Sequence, residues 1–186
     1  TLYVLAQYSK KSRYRLSLNS LRGIVTYSET LYGNQKGLIE EVFKSQVFDW
    51  YGLFERVIFI GTCEYGSYHI FPDYGITELI PLEKTENTGL YELVGTGFIN
   101  WVTPLIRYRT GDIVSLFDGT CKCGRKFPSV KYILGRTNDV IITPQGRVIV
   151  LVDHAFNINH IRFAQIIQES TNELVIMIVP DSGYTV

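Results

Sequence analysis

Between residues 21 and 52 the sequence changes its hydrophobic period twice, and few folds tolerate that order. Leu21-Arg22-Gly23-Ile24-Val25-Thr26 is a short apolar run with β-branched residues, which predicts a buried strand. Over residues 34–44 the apolar side chains Leu38, Ile39, Val42 and Phe43 fall at helical spacing, with Glu40 and Glu41 on the other face. This predicts an amphipathic helix. Val47-Phe48-Asp49-Trp50-Tyr51-Gly52 reads as the next strand and its exit. Strand, helix, strand is a βαβ unit, in which ligands gather at the carboxyl ends of the strands. Ser28-Glu29 and Tyr51-Gly52 both fall at such ends.

Ahead of this unit, residues 1–12 read as a helix with Lys10 and Lys11 in its last turn. After residue 56 the character changes to short strands separated by Gly, Pro, Asp and Asn: residues 57–62, 68–71, 76–81, 89–96, 112–117 and 131–134. Beyond Gly135 come strands at 140–143 and 147–151 around a Pro144-Gln145-Gly146 turn, and a short helix near 152–156. Two last strands, 161–168 and 174–179, form a hairpin about Thr171-Asn172-Glu173. The expected class is α/β in the mixed α+β sense. A βαβ unit covers about residues 1–56 and a β-rich section 57–134; a boundary near residues 134–136 opens a second part, 135–186.

Zero formal net charge offers no basic face for nucleic acid or an anionic membrane, so neither is expected as a partner. No apolar run is long enough to span a bilayer, and the first residues lack the order of a signal peptide. Three cysteines, two of them one residue apart, fit a disulfide framework poorly and a reducing, cytoplasmic setting well. With 46% apolar residues, 13 Tyr and 10 Phe, the chain can bury a substantial core. Oligomeric state is not legible.

One stretch carries site chemistry. In residues 102–112 an apolar approach runs into Arg107, Arg109 and Asp112, with Gly111 beside the aspartate allowing a sharp turn or a close backbone approach. An aspartate past a glycine, with arginines nearby, can bind ribose hydroxyls and phosphate oxygens; the competing interpretation is a solvated turn between strands.

Ordered pieces along the chain then show a resemblance. Gly23-Ile24-Val25-Thr26-Tyr27-Ser28-Glu29-Thr30-Leu31 comes first, then Tyr51-Gly52-Leu53-Phe54-Glu55, then Gly89-Leu90-Tyr91-Glu92-Leu93-Val94-Gly95-Thr96-Gly97. Pro104-Leu105-Ile106-Arg107-Tyr108-Arg109-Thr110-Gly111-Asp112, Cys121-Lys122-Cys123-Gly124-Arg125 and Gly135-Arg136-Thr137-Asn138-Asp139 follow. Together they resemble the adenylate-forming (AMP-binding) enzymes, in the branch of phenylacetate-CoA ligase, coenzyme F390 synthetase and the CapK-type proteins of capsule gene clusters. The resemblance implies that residues 1–134 are the later part of a large AMP-binding domain and that 135–186 are a hinge and the start of a small C-terminal domain.

It also implies roles. Tyr51, with Gly52, would lie against adenine; Glu55 would meet magnesium near the ATP phosphates; Ser28 and Glu29 would border adenine and the acyl pocket. Asp112 would bond the ribose and Arg136 would point to ribose or phosphate, while Asn138 stands at the pivot where such enzymes usually carry Asp or Lys. Each assignment suits its chemistry: an aromatic stacks on a base and a carboxylate is a hard ligand for magnesium. The implied reaction joins a small carboxylic acid to ATP and expels pyrophosphate; a thiol acceptor such as CoA is possible, and capsular polysaccharide synthesis is a possible setting. The family's Ser/Thr/Gly-rich phosphate loop and its C-terminal catalytic lysine have no counterpart among these residues. The 186-residue chain is therefore expected to be an internal segment, inactive by itself.

Cys63, His69, Cys121 and Cys123 make a complete tetrahedral zinc shell that uses every cysteine, and some relatives in this branch carry a comparable set. The expected role is a structural clamp; the alternative is three unrelated thiols and an unconnected histidine. His154 and His160 are expected to be ordinary structural histidines. A second functional class stays open beside the ligase: a non-catalytic, zinc-stapled binding or scaffold module.

Overall fold

The computed structural model describes residues 2–12, 20–82, 89–137, 140–149 and 160–184. The helix expected near 152–156, His154 and the pivot Asn138 lie outside the described residues.

Among the described residues two helices and twelve strands follow one another. α1 (Leu2–Ser12) precedes β1 (Ile24–Tyr27), α2 (Gly33–Phe43) and β2 (Val47–Gly52). Then come β3 (Phe59–Thr62), β4 (Tyr68–Ile70), β5 (Gly75–Pro81), β6 (Leu90–Gly97), β7 (Tyr108–Leu116) and β8 (Ser129–Arg136). Two short strands, β9 (Ile141–Ile142) and β10 (Val148–Ile149), and a hairpin of β11 (Ile161–Ser170) and β12 (Glu173–Pro180) complete the order. The architecture is mixed α/β with a large, mostly antiparallel sheet of eight strands, ordered β1-β2-β3-β4-β8-β7-β6-β5. The βαβ expectation holds: β1 and β2 are parallel, with Tyr27 opposite Trp50. The expected hairpin is also present, antiparallel, with Ser170 opposite Glu173.

The chain divides into two compact units interleaved in sequence. The first is Thr1–Glu78, Val94–Tyr108 and Phe117–Lys131; the second is Leu79–Leu93, Arg109–Leu116 and Tyr132–Val186. In the first, α1 and α2 cover β1 and β2, and Ala6, Ile24, Ile39, Phe43 and Val47 are buried between them. The helical spacing of Ile39 and Phe43 puts both on the covered face of α2, whose end is set by Lys44 in the left-handed region (φ 52°). Val57, Ile58, Ile60 and Ile70 of the same unit are also buried, and Phe59 packs its ring against Trp50, Phe71 and Tyr74. In the second unit Leu93, Ile113 and Val114 are buried.

Two expectations need correction. The strand expected from Asp112 starts earlier: residues 98–107 connect β6 to β7, and β7 already begins at Tyr108 and runs through Gly111 and Asp112. Gly111 takes φ 73°, so the glycine kinks a continuous strand instead of ending it, and its carbonyl accepts the Thr137 N–H at 2.7 Å. Apolar alternation starts only at Ile113, which hid the first half of the strand. Likewise β8 does not stop at Leu134 but continues through Gly135 (φ 107°) into Arg136.

Among the described residues no helix is long and apolar enough to cross a membrane.

Candidate metal centre and nucleotide-site residues

The most concentrated chemistry of the first unit lies where the β3–β4 turn meets the loop before β8. Cys63 follows β3, His69 is the middle residue of β4, and Cys121 and Cys123 lie in the loop leading to β8. The turn is built by the sequence Cys63-Glu64-Tyr65-Gly66-Ser67: Cys63 N–H donates to the Ser67 carbonyl, and Gly66 takes φ 80°. Antiparallel pairing of β4 with β8, His69 opposite Ser129, brings the two segments together.

One ligand atom from each of the four residues lies within 4.8 Å of every other. Cys63 Sγ is 3.6 Å from Cys121 Sγ, and Cys123 Sγ is 3.3 Å from His69 Nε2. A tetrahedral zinc ion with sulfur and nitrogen ligands has shell edges of about 3.5 to 3.8 Å, so these separations suit a shared ion. The other ring nitrogen, Nδ1, lies 3.3 Å from Ser129 Oγ, the kind of outer contact that orients a ligating imidazole. The thiols are unpaired by disulfide. The backbone N–H of Cys123 and the Ser67 hydroxyl lower the Cys121 thiol to about 6, toward the thiolate a metal takes, whereas burial pushes Cys63 up. Arg125 bridges the same two segments to Glu64 at 2.7 Å, though on the surface, where such a pair adds little.

Next to this centre runs a buried polar network. Asp49, 8% exposed on β2, accepts hydrogen bonds from Thr26 Oγ1 at 2.7 Å and Tyr68 Oη at 2.5 Å, while its own N–H donates to Thr62 Oγ1 at 2.8 Å. Burial, more than the Asp49 bond, raises the Tyr68 phenol above its usual range. The network ties β1, β2, β3 and β4 crosswise.

The first unit also holds Ser28, Glu29, Tyr51, Gly52 and Glu55. Ser28 follows β1 in the left-handed region (φ 81°), Tyr51 and Gly52 end β2, and parallel pairing aligns the two strand ends. Glu55 lies in the turn after β2, which Arg56 N–H closes on the Leu53 carbonyl at 3.0 Å. Its carboxylate accepts a hydrogen bond from Tyr108 Oη at 3.0 Å.

In the second unit, Asp112 is 8% exposed on β7 and Arg136 ends β8, with Nε 3.8 Å from Asp112 Oδ1. The two arginines before Asp112 have acidic partners. Arg109 makes a bidentate pair with Glu92, itself 3% exposed, and Arg107, in the first unit, meets Glu78 at 3.0 Å. Both guanidinium groups are thus ion-paired while remaining largely exposed.

No family model matches the chain. It is 27% identical over 183 residues to the protein CapK of Staphylococcus aureus, a match covering 96% of this chain and 40% of the relative. Over 79 residues it is 35% identical to the phenylacetate-coenzyme A ligase of Thermus thermophilus, covering 40% of this chain and 17% of that ligase. Its fold matches a crystal structure of 2-hydroxyisobutyryl-CoA ligase in an open conformation with 2-HIB-AMP and CoA, at a TM-score of 0.66 and 20% identity, over 97% of this chain and 42% of the ligase. In sequence and fold the chain is thus similar to proteins of the adenylate-forming superfamily. It spans 40% of the length of CapK.

The motifs named candidate site side chains and missed what holds them. Tyr108 on Glu55, Ser129 on His69, Glu92 on Arg109 and the Asp49 network carry no local signature, because each joins residues at least 13 positions apart. His160, expected to be an ordinary histidine, takes φ 74°, and its Nδ1 lies 2.8 Å from the Ser182 carbonyl, in hydrogen-bond range at the foot of the hairpin.

Proposed function

We propose that this chain supplies the adenine, ribose and magnesium contacts of an ATP-dependent, carboxylate-activating ligase. The side-by-side ending of parallel β1 and β2, with Ser28-Glu29 after one and Tyr51-Gly52 closing the other, carries the proposal. Strand ends of this kind are where α/β proteins take nucleotides. On this basis Tyr51 stacks on adenine, Ser28 and Glu29 border it, and Glu55 takes the magnesium ion that accompanies the phosphates. Asp112 bonds the ribose hydroxyls, Arg136 points to ribose or phosphate, and Asn138 is the pivot between residues 1–134 and 135–186.

The reaction transfers AMP. A carboxylate oxygen attacks the α-phosphorus of ATP, the bond to the β-phosphate breaks and pyrophosphate leaves; a magnesium ion held by Glu55 would supply charge neutralisation to the phosphates. A thiol then displaces AMP from the acyl-adenylate; CoA is the acceptor bound by the solved ligase of the same fold. The cytoplasm supplies ATP and thiol, and the CapK similarity favours a place in capsular polysaccharide synthesis. In the same proposal Cys63, His69, Cys121 and Cys123 hold a structural zinc ion: four protein ligands leave no open position for catalysis.

Pyrophosphate exchange with a panel of carboxylic acids tests the activity. The 186 residues alone, which offer neither a Gly-rich phosphate loop nor the terminal lysine, are expected to show none above background. The protein containing them is expected to exchange, and Asp112→Ala to weaken ATP binding roughly 10- to 100-fold, the loss of charged hydrogen bonds to the ribose. ATP affinity unchanged by Asp112→Ala would remove that assignment.

A further inference from the structure

Two non-glycine residues of the first unit occupy the left-handed backbone region directly beside the two ends of a single hydrogen bond. Arg56 (φ 56°) follows Glu55 and Arg107 (φ 52°) precedes Tyr108. Residues with a Cβ enter this region at a cost, and the conformation persists only where its surroundings over-determine it. Both arginines are so held. Arg56 N–H closes its turn on the Leu53 carbonyl at 3.0 Å, and a Cβ on Gly97 would stand 2.6 Å from the Arg56 carbonyl, so a glycine there lets the strand press against the turn. Arg107 N–H donates to Thr96 Oγ1 at 2.9 Å and its Nε meets Glu78 at 3.0 Å. Two separately enforced kinks, 51 positions apart, thus deliver the Tyr108 hydroxyl to Glu55 Oε1 at 3.0 Å, with both side chains partly buried.

We propose that Tyr108 is a positioning residue for the Glu55 carboxylate, and through it for the magnesium ion of the bound nucleotide. The inference rests on Glu55 being the magnesium ligand, as proposed above. A phenol donates one hydrogen bond without bringing charge, so it fixes the carboxylate plane through Oε1 and leaves the full negative charge to the ion. An arginine or lysine in its place would compete with the metal. The Glu55 side chain is thereby set before the ion arrives, so less rotamer freedom is lost on binding.

The test compares Tyr108→Phe, Glu55→Gln and the unchanged protein by calorimetry. It reads the magnesium concentration giving half-maximal ATP binding, and the affinity for AMP in the presence of a chelator. Loss of an outer contact to a metal ligand costs roughly 10-fold in metal affinity. Tyr108→Phe is expected to raise the magnesium requirement by about that factor and to leave metal-free AMP binding and the melting temperature unchanged. Glu55→Gln is expected to raise it further. If Glu55→Gln shifts the magnesium curve and Tyr108→Phe does not, the positioning role is wrong while the Glu55 assignment stands. If neither shifts it, the Glu55 assignment itself fails and the inference goes with it. Equal losses of metal-free and magnesium-dependent binding in Tyr108→Phe mean a general packing role and also overturn the proposal.

Discussion

Glu92 sits on β6 at 3% exposure, and Arg109 from β7 meets both of its oxygens. A carboxylate that has given up water depends on such a partner, since breaking a buried pair from one side leaves an uncompensated charge. Arg109 is itself 75% exposed, so water reaches part of the gap it would leave. Arg109→Met is therefore expected to lower stability by about 2 kcal/mol, below the full penalty for a deeply buried pair, and Glu92→Gln on that background to recover part of it. Urea unfolding of the three proteins decides the matter. A single Arg109→Met variant within about 0.5 kcal/mol of the parent would show that the pair contributes little. The same residue scale explains why Arg107 and Arg109 looked available to phosphate: their acidic partners lie 29 and 17 positions away, and no local pattern pairs them.

At the scale of elements, what the sequence made legible is what a hydrophobic period records. α2 announced itself through Leu38, Ile39, Val42 and Phe43, and the last hairpin through Thr171-Asn172-Glu173 between two apolar runs. β7 was half hidden because its first five residues are polar and contain a glycine, although they belong to the same strand as Ile113 and Val114. The cysteine cluster was legible by elimination, as three sulfurs and one imidazole; the β4–β8 pairing that closes it was not, because it joins segments 60 residues apart. That closure gives the proposed zinc ion its mechanical task, since it ties the β3–β4 turn to the loop before β8. Purified under reducing conditions, the protein is expected to carry close to one equivalent of zinc. Stripping it should lower the melting temperature by several degrees or more and raise hydrogen exchange first in β3, β4 and the start of β8. Cys121→Ser should reproduce the loss and make the protein insensitive to chelator. Less than about half an equivalent of zinc, or a melting temperature that chelation does not move, would count against the clamp.

At the scale of the whole molecule, the two interleaved units differ in how they cover apolar surface. The first buries its helices against β1 and β2, whereas among the described residues β12 of the second leaves apolar side chains exposed on both of its faces. On β12, Leu174, Val175, Ile176, Met177, Ile178 and Val179 are each between 36% and 52% exposed, and Phe163 on β11 is 66% exposed. Six consecutive exposed apolar residues in a β-strand, without a charge among them, are a template for pairing with a like strand. Net charge near zero removes the long-range repulsion that would keep two copies apart. The 186-residue chain is therefore expected to self-associate reversibly as its concentration rises, with the midpoint moving to higher concentration in Ile176→Lys. Because the side chain is already half exposed, that substitution should cost little folding stability, on the order of 0.5 kcal/mol or less. Sedimentation of both proteins over a concentration series separates the cases. A parent chain that stays monomeric to high concentration, or a variant that associates equally, would show that the exposed apolar side chains of β12 do not govern assembly.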